Sequence, residues 1–225
     1  MGRSKLERFS DIERFKNVFE YTDYQDSSSE KPKGRWKQEV FKNEKPITLE
    51  LACGKGEYTL FLSKQFPEIN VVGVDIKGAR IWKGARQALQ EQRSNVHFLR
   101  IYIDHLDEYF GTDEVDDIWI TFPDPYLKGS DRNKRLTSPK FLKIYQQFLR
   151  PGGSVRLKTD NNQLFSYTCR VLERNNCEVI KSVENIYQEC PDDELLTHKT
   201  YFERKHLMKG RAISYLQFLL PESPL

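Results

Sequence analysis

Residues 47–51, Ile47-Thr48-Leu49-Glu50-Leu51, alternate apolar and polar positions as a strand does, and the run opens into Ala52-Cys53-Gly54-Lys55-Gly56. Behind that loop, residues 58–66 repeat their apolar positions at helical spacing. The same alternation recurs along the chain. It predicts strands at 71–75, 95–102 and 116–122 and a helix at 79–91. Ser138 is placed to cap a helix in which Phe141, Leu142, Tyr145, Phe148 and Leu149 share one face, and Pro151-Gly152-Gly153 turns the chain into a strand at 154–160. Residues 161–174 read as helix, 178–183 as strand, 185–209 as polar and irregular, and 212–219 as a closing strand. Strands alternating with helices predict an α/β fold, a mostly parallel seven-stranded sheet covered on both faces. The last strand follows a non-helical insertion, so it is expected to run antiparallel.

Residues 1–35 lack this patterning. They are polar and charged, and Ser27-Ser28-Ser29-Glu30-Lys31-Pro32-Lys33-Gly34 reads as a flexible basic passage, so a partly flexible amino-terminal extension is expected ahead of one domain spanning 36–225. Trp36, at the boundary, could stack on a base; the commoner role of such a residue is to pin an extension to the core. With 225 residues, 38% hydrophobic and 12% aromatic, the chain can fill a single core. Its start, Met1-Gly2-Arg3-Ser4-Lys5-Leu6-Glu7-Arg8, is charged, and no apolar run approaches a membrane span, so a cytoplasmic protein with no membrane partner is expected. Cys53, Cys169, Cys177 and Cys190 show no metal-type pairing and His97, His105, His198 and His206 are scattered; all eight read as packing or surface residues, with no metal expected. The net charge of +3 permits nucleic acid as a partner without requiring it.

The glycine loop is where binding chemistry is first visible. Gly54 and Gly56 allow a tight turn and close approach to a ligand, and the following helix start offers free N–H groups. A third glycine for a pyrophosphate is missing, and Glu50 stands four residues ahead of Gly54. A carboxylate there repels a diphosphate and welcomes a cation, which suits S-adenosylmethionine (SAM), with its ammonium and sulfonium groups, better than a dinucleotide. Asp75 ends the second strand 19 residues beyond Gly56, about where an acidic residue takes ribose hydroxyls; it could equally cap the next helix. Asp104 follows the third strand in the same way, either to hold the adenine edge or as an ordinary surface acid.

The fourth strand runs into Pro123-Asp124-Pro125-Tyr126. Each proline restricts its own φ and pushes the preceding residue, Phe122 or Asp124, toward extended geometry, so the strand must stop and one carboxylate is held in one orientation. Ligands bind at the carboxyl ends of parallel strands, although Asp-Pro-Tyr is also an ordinary turn sequence. The next loop, Lys128-Gly129-Ser130-Asp131-Arg132-Asn133-Lys134-Arg135, places four cations beside this junction, where phosphate contacts by Arg132, Lys134 and Arg135 are expected.

Taken together, Glu50-x-Ala-Cys-Gly-Lys-Gly56, Gly73-Val-Asp75, Phe122-Pro-Asp-Pro-Tyr126 with Lys128, Lys158-Thr-Asp160-Asn161 and Thr200-x-Phe-Glu203 followed by Gly210 resemble the bacterial tRNA (guanine-N7)-methyltransferases, over roughly residues 35–220. The resemblance implies a Rossmann-like SAM-dependent methyltransferase fold and methylation of guanine N7 in the variable loop of tRNA. It implies that Glu50, Gly54, Gly56, Asp75, Asp104 and Asp124 line the SAM site, with Asp124 also catalytic. It further implies that Lys128, Asp160, Thr200, Tyr201, Phe202 and Glu203 meet the tRNA. The chain departs from the family in Asp75, where Glu is commoner, in Tyr126, where Trp is usual, and in residues 130–135, which are less basic and lack histidine.

Two other functions share some of these residues. Asp124-Pro125-Tyr126 imitates the Asp-Pro-Pro-Tyr type motif of amino-group methyltransferases acting on adenine or cytosine, without its second proline. A non-catalytic RNA-binding protein on a methyltransferase fold is the alternative outside enzymes; intact Glu50, Asp75 and Asp124 argue against it.

Overall fold

A computed structural model describes residues 4–20 and 31–225. The strands are β1 (Val18–Glu20), β2 (Ile47–Leu51), β3 (Asn70–Val74), β4 (Val96–Arg100), β5 (Val115–Thr121), β6 (Leu149–Thr159), β7 (Glu178–Val183) and β8 (Ser214–Leu219). They form one sheet in the order β1-β4-β3-β2-β5-β6-β8-β7. The strands from β1 to β6 pair in parallel, while β8 lies antiparallel between β6 and β7, the direction expected for it, although the insertion that precedes it proves helical. The chain winds outward from β2 through β3 to β4, then returns to lay β5 on the other side of β2. The loops leaving β2 and β5 therefore diverge and open a crevice between them.

The helices are α1 (Lys5–Ile12), α2 (Glu57–Gln65), α3 (Gly78–Gln90), α4 (Pro139–Tyr145), α5 (Asn162–Arg174), α6 (Ile186–Glu189), α7 (Glu194–Thr197) and α8 (Tyr201–Leu207). Strand periodicity divides the core in two. Ile118, Ile120, Val155 and Leu157 join the cluster with Trp36, Tyr145 and Leu172 on one face. Trp119, Val71 and Tyr215 join Tyr58, Leu62, Ile81 and Ala85 on the other.

Three expectations need correction. The sheet has eight strands because residues 18–20 pair with β4, Val18 opposite Phe98. Residues 185–209, expected irregular, contain α6, α7 and α8, each headed by a side chain that accepts a backbone N–H: Asn185, Asp193 and Thr200. Ser138 occupies the cap position of α4, yet its hydroxyl donates to the Asn133 carbonyl and accepts from no helical N–H. The helix ends at Tyr145, so Phe148 and Leu149 pack from the turn and from the start of β6.

Part of the segment expected as an extension is built into the domain. Ser4 and Glu7 form a capping box at the start of α1. Ile12 is buried against α3, where a Cβ added at Gly78 would stand 2.7 Å from the Ile12 side chain. Asp11 accepts the Trp82 indole N–H at 2.7 Å. Of the basic passage beginning at Ser27, residues 27–30 lie outside the described residues. Trp36 is the anchor its position suggested: it is fully buried, stacks on Phe110 at 5.0 Å and donates Nε1–H to the Tyr109 carbonyl at 2.8 Å. Glu114 fastens the same entry, accepting the amides of Gly34, Trp36 and Gly111 at 2.7 to 2.8 Å. Trp36→Ala should cost about 3 to 5 kcal/mol through cavity creation and the carbonyl left without its donor. Urea unfolding measures this, and a loss below about 1 kcal/mol would show that Trp36 anchors nothing.

Candidate active site

The crevice between the β2 and β5 loops is a cavity of about 820 Å³. Its walls include Glu50, Gly54, Asp75, Asp104, Asp124 and Asp160, gathered from the carboxyl edges of separate strands. With Lys134, Thr200, Tyr201 and Phe202, ten of the residues singled out in sequence line it.

The β2–α2 loop is turned by three left-handed residues, Ala52 (φ 57°), Gly54 (φ 58°) and Gly56 (φ 68°). A Cβ at Gly54 would meet only the Ala52 carbonyl, at an unstrained 3.9 Å, so it is φ that needs glycine's freedom there. Gly56, expected at the ligand, instead serves packing: it is buried, it is absent from the cavity wall, and a Cβ there would meet the Phe98 ring at 2.6 Å. Gly84 of α3 comes against the same spot, with its own Cβ position 2.7 Å from the Lys55 carbonyl. The amides of both loop glycines are already engaged. Gly54 N–H donates to Asp75 Oδ2 at 2.9 Å and Gly56 N–H to the Cys53 carbonyl at 2.9 Å, so neither is free to cradle a diphosphate.

Glu50 is 1% exposed. Its Oε2 accepts the Thr59 amide at 2.7 Å and the Thr59 hydroxyl, and its Oε1 accepts the Thr121 hydroxyl at 2.5 Å. Burial raises its pKa to about 7; the Thr121 and Thr59 hydrogen bonds oppose that shift and the nearby Asp75 charge adds to it. Asp75 Oδ1 also accepts the Lys77 amide at 2.8 Å, so this carboxylate ties the start of α3 to the glycine loop and keeps lone pairs for hydroxyl donors. Asp104 sits in the 3₁₀ segment Ile103–Glu108, about half exposed and paired with Lys140 of α4.

At the β5 exit, Asp124 is exposed in the cavity wall between Pro123 and Pro125. Phe122 was expected to be extended and is left-handed, with φ of 49°; Tyr126 mirrors it with φ of 42°. Such conformations cost roughly 1 to 3 kcal/mol each and persist where the surroundings over-determine them. Here Phe122 N–H donates to the Lys158 carbonyl at 2.8 Å and the Phe122 ring stacks on His206 at 5.8 Å. Arg135 secures the other side. Expected to touch phosphate, it is 7% exposed and donates to the carbonyls of Pro125 and Tyr126 at 2.9 to 3.2 Å, with its guanidinium over Tyr167. It holds the Asp124 turn. Lys134 stays exposed, paired with Asp131 at 2.9 Å and 6.0 Å from the Tyr126 ring centre. Lys128 and Arg132 are exposed beyond the cavity wall.

The opposite wall is carried by α8. Thr200 caps the helix and Glu203 completes a capping box, but Glu203 is fully buried and cannot meet RNA as expected. It pairs with the equally buried Lys158 at 2.8 Å and accepts the Tyr187 hydroxyl at 2.7 Å. Burial lowers the Lys158 pKa, and Glu203 offsets this. The pair had no signal in composition; the hint was a lysine alternating with Val155, Leu157 and Thr159 in a strand, a cation that needs a partner wherever both sheet faces are covered. It sets Tyr201 and Phe202 at the cavity mouth, 37% and 42% exposed. Asp160, beside them, is held by His206 at 2.8 Å and by Arg211.

This donor set fits SAM. Its acidic floor and engaged loop amides favour a cationic nucleoside over a diphosphate. The doubly wound sheet, with a carboxylate-lined crevice at the switch between β2 and β5, defines a Rossmann-like methyltransferase. Residues 44–216 match the family model described as "Putative methyltransferase". The fold aligns, with a TM-score of 0.60 and 14% identity, with a variant of the 16S rRNA (adenine(1408)-N(1))-methyltransferase from Catenulisporales acidiphilia with cosubstrate SAM, over 88% of this chain and 96% of that one. It is 45% identical to the tRNA (guanine-N(7)-)-methyltransferase of Bacteroides fragilis (strain YCH46), over 99% of this chain and 88% of the relative. Identity is also 45% to that of Porphyromonas gingivalis (strain ATCC BAA-308 / W83), over 94% and 87%. The chain belongs to the tRNA (guanine-N(7)-)-methyltransferase family.

The raised pKa of Glu50 makes a signed prediction. Below pH 4.5 the carboxyl is protonated in both folded and unfolded states; between 4.5 and about 7 the unfolded chain releases its proton first, so stability falls with rising pH and levels off above 7. Glu50→Gln should therefore gain up to about 3 kcal/mol over wild type at pH 8 and little at pH 4.5. Urea titrations at both pH values check it; a pH-independent difference would contradict it.

Proposed function

We propose that this chain transfers a methyl group from SAM to N7 of guanine in tRNA, forming N7-methylguanosine, with a variable-loop guanosine as acceptor. Asp124 is the observation that carries this reading: a carboxylate exposed in the acidic crevice, between two prolines and two left-handed residues, at the end of a buried strand. When bound, SAM supplies a methyl group made electrophilic by its sulfonium. Asp75 takes the ribose hydroxyls, Asp104 faces the adenine edge, and Gly54 lets the chain come close to the cofactor. Glu50, beneath them, contributes negative charge to the cationic end.

Guanine N7 has an in-plane lone pair and no proton, so the chain needs no strong base and gains rate chiefly by alignment. As the bond to N7 forms, positive charge develops on the purine. Asp124, at the purine edge, stabilises that charge and accepts hydrogen bonds from the base. Tyr126, Tyr201 and Phe202 offer rings at the mouth for packing against the nucleotide. Thr200, Asp160 and Lys134 line that mouth, and Lys128 and Arg132 lie outside it, where the RNA backbone would pass. Some members of the expected RNA set act indirectly in this reading: Arg135 holds the Asp124 turn, and Glu203 with Lys158 holds α8. No helix among the described residues is long and apolar enough to cross a membrane, and among them no three His, Cys, Asp or Glu side chains group as a metal site.

Labelled methyl transfer to bulk tRNA followed by nucleoside analysis tests the activity; methyl on adenine or cytosine would replace this reading with that of an amino-group methyltransferase. Asp124→Asn separates catalysis from binding. It should lower the saturated single-turnover rate by about 10²- to 10³-fold while tRNA affinity changes little. A wild-type rate at saturation would make the carboxylate a structural group. Asp75→Ala should weaken SAM binding in the absence of RNA by about 1 to 3 kcal/mol, read by calorimetry. Unchanged affinity would remove Asp75 from the cofactor site.

A further inference from the structure

A second groove, of about 330 Å³, adjoins the catalytic cavity and is built by α1 and α3. Its walls are Arg8, Lys55, Ala79, Arg80, Trp82 and Lys83, with no carboxylate among them. Lys55 and Arg80 line both spaces, so the groove continues directly from the site. On α3, Ala79, Trp82, Lys83 and Arg86 fall at i, i+3, i+4 and i+7 and share one face. Trp82 is the platform between the cations: the Arg8 guanidinium lies 5.2 Å from its ring and that of Arg86 5.1 Å. Arg8 Nε is buried without a hydrogen-bond partner among the described residues. The acids nearby are already engaged. Glu57 accepts the Tyr201 amide and stands 3.6 Å from Lys83, and Asp11 accepts the Trp82 indole.

This concentration of positive charge contrasts with the acidic cavity beside it. A cationic cofactor is drawn to the cavity and repelled by the groove; a polyanion is drawn to the groove. We propose that the α1–α3 groove binds a backbone phosphate of the substrate RNA next to the nucleotide whose base enters the cavity. The groove thus gives the described part of the amino-terminal segment a role in substrate binding, with Arg8 and Lys83 supplying the charge and Trp82 holding the Arg8 guanidinium in place. Because the cations contact phosphate and no base edge, the groove adds affinity and register without adding sequence preference.

The inference rests on the tRNA-methylating reading, and the test keeps the two apart by first establishing that wild-type protein methylates tRNA at guanine N7. Lys83→Gln and Arg8→Gln are then compared with Arg174→Gln, which removes the same charge from the far end of α5, a helix that starts after β6 at the cavity edge and runs away from it. Binding of tRNA is measured across a salt series, with SAM affinity, thermal unfolding and saturated methylation rate as controls. For each groove variant we expect tRNA affinity to fall about 3- to 10-fold, and the slope of log affinity against log salt to flatten by about 0.7 to 0.9. SAM affinity and the saturated rate should hold at wild-type values, and Arg174→Gln should behave as wild type. Wild-type tRNA affinity and slope in both groove variants, or effects matched by Arg174→Gln, would overturn the proposal while leaving the methylation reading intact. A loss confined to the saturated rate would also overturn it, because a phosphate anchor acts on binding.

Discussion

Glu50 is the carboxylate on which both halves of the site depend. One of its oxygens takes the amide and hydroxyl of Thr59 near the start of α2, and the other takes the hydroxyl of Thr121, the last residue of β5. The glycine loop and the Asp124 turn leave neighbouring, paired parallel strands. Beyond the backbone ladder that pairs the strands, a single buried side chain ties the two exits together, and it does so at an electrostatic cost visible in its raised pKa. The arrangement explains why an acidic residue sits in a strand whose other positions are all buried. It is the clasp between two loops.

A comparable division of labour operates on the far wall, where Lys158 and Glu203 are both fully buried. Burying two charges is stabilising only when each is well paired, and here the Tyr187 hydroxyl and the His198 carbonyl complete the set. Together these contacts hold the polar segment that carries α6, α7 and α8 against the sheet. Tyr201 and Phe202 are exposed because their neighbour two or one positions on is not.

The sheet and its order of elements were legible because period-2 and period-3.6 patterns are strong in β2 to β5 and in α2, α3 and α5. Asp124 was legible because two prolines leave a carboxylate few conformations. The local proline rule failed at Phe122, where a hydrogen bond to β6 and stacking on His206 outweigh the preference for extended backbone. Strand β1 was hidden for a different reason: three residues carry no periodicity, and their partner β4 is remote in sequence. Lys134 and Arg135 are indistinguishable as neighbouring cations, yet one is solvated and the other is folded under the Tyr126 carbonyl. Likewise Thr200 and Glu203 show a capping box and a family motif with the same letters. Sequence shows which groups are present, whereas the direction each one faces is decided by contacts far along the chain.

The placement of β8 between β6 and β7 bears on the order in which the molecule can assemble. During synthesis β7 emerges before β8, and with β8 missing it has no neighbour to pair with in its final position. The carboxyl edge of β6 is likewise bare on one side until β8 arrives, and Lys158 lacks Glu203 until α8 has formed. Closure of these long-range contacts is a late event. The α8 wall of the crevice is therefore completed only when nearly the whole chain is available, so a nascent chain that has already folded β2 to β5 would hold the glycine loop and the Asp124 turn but still lack the wall that faces them.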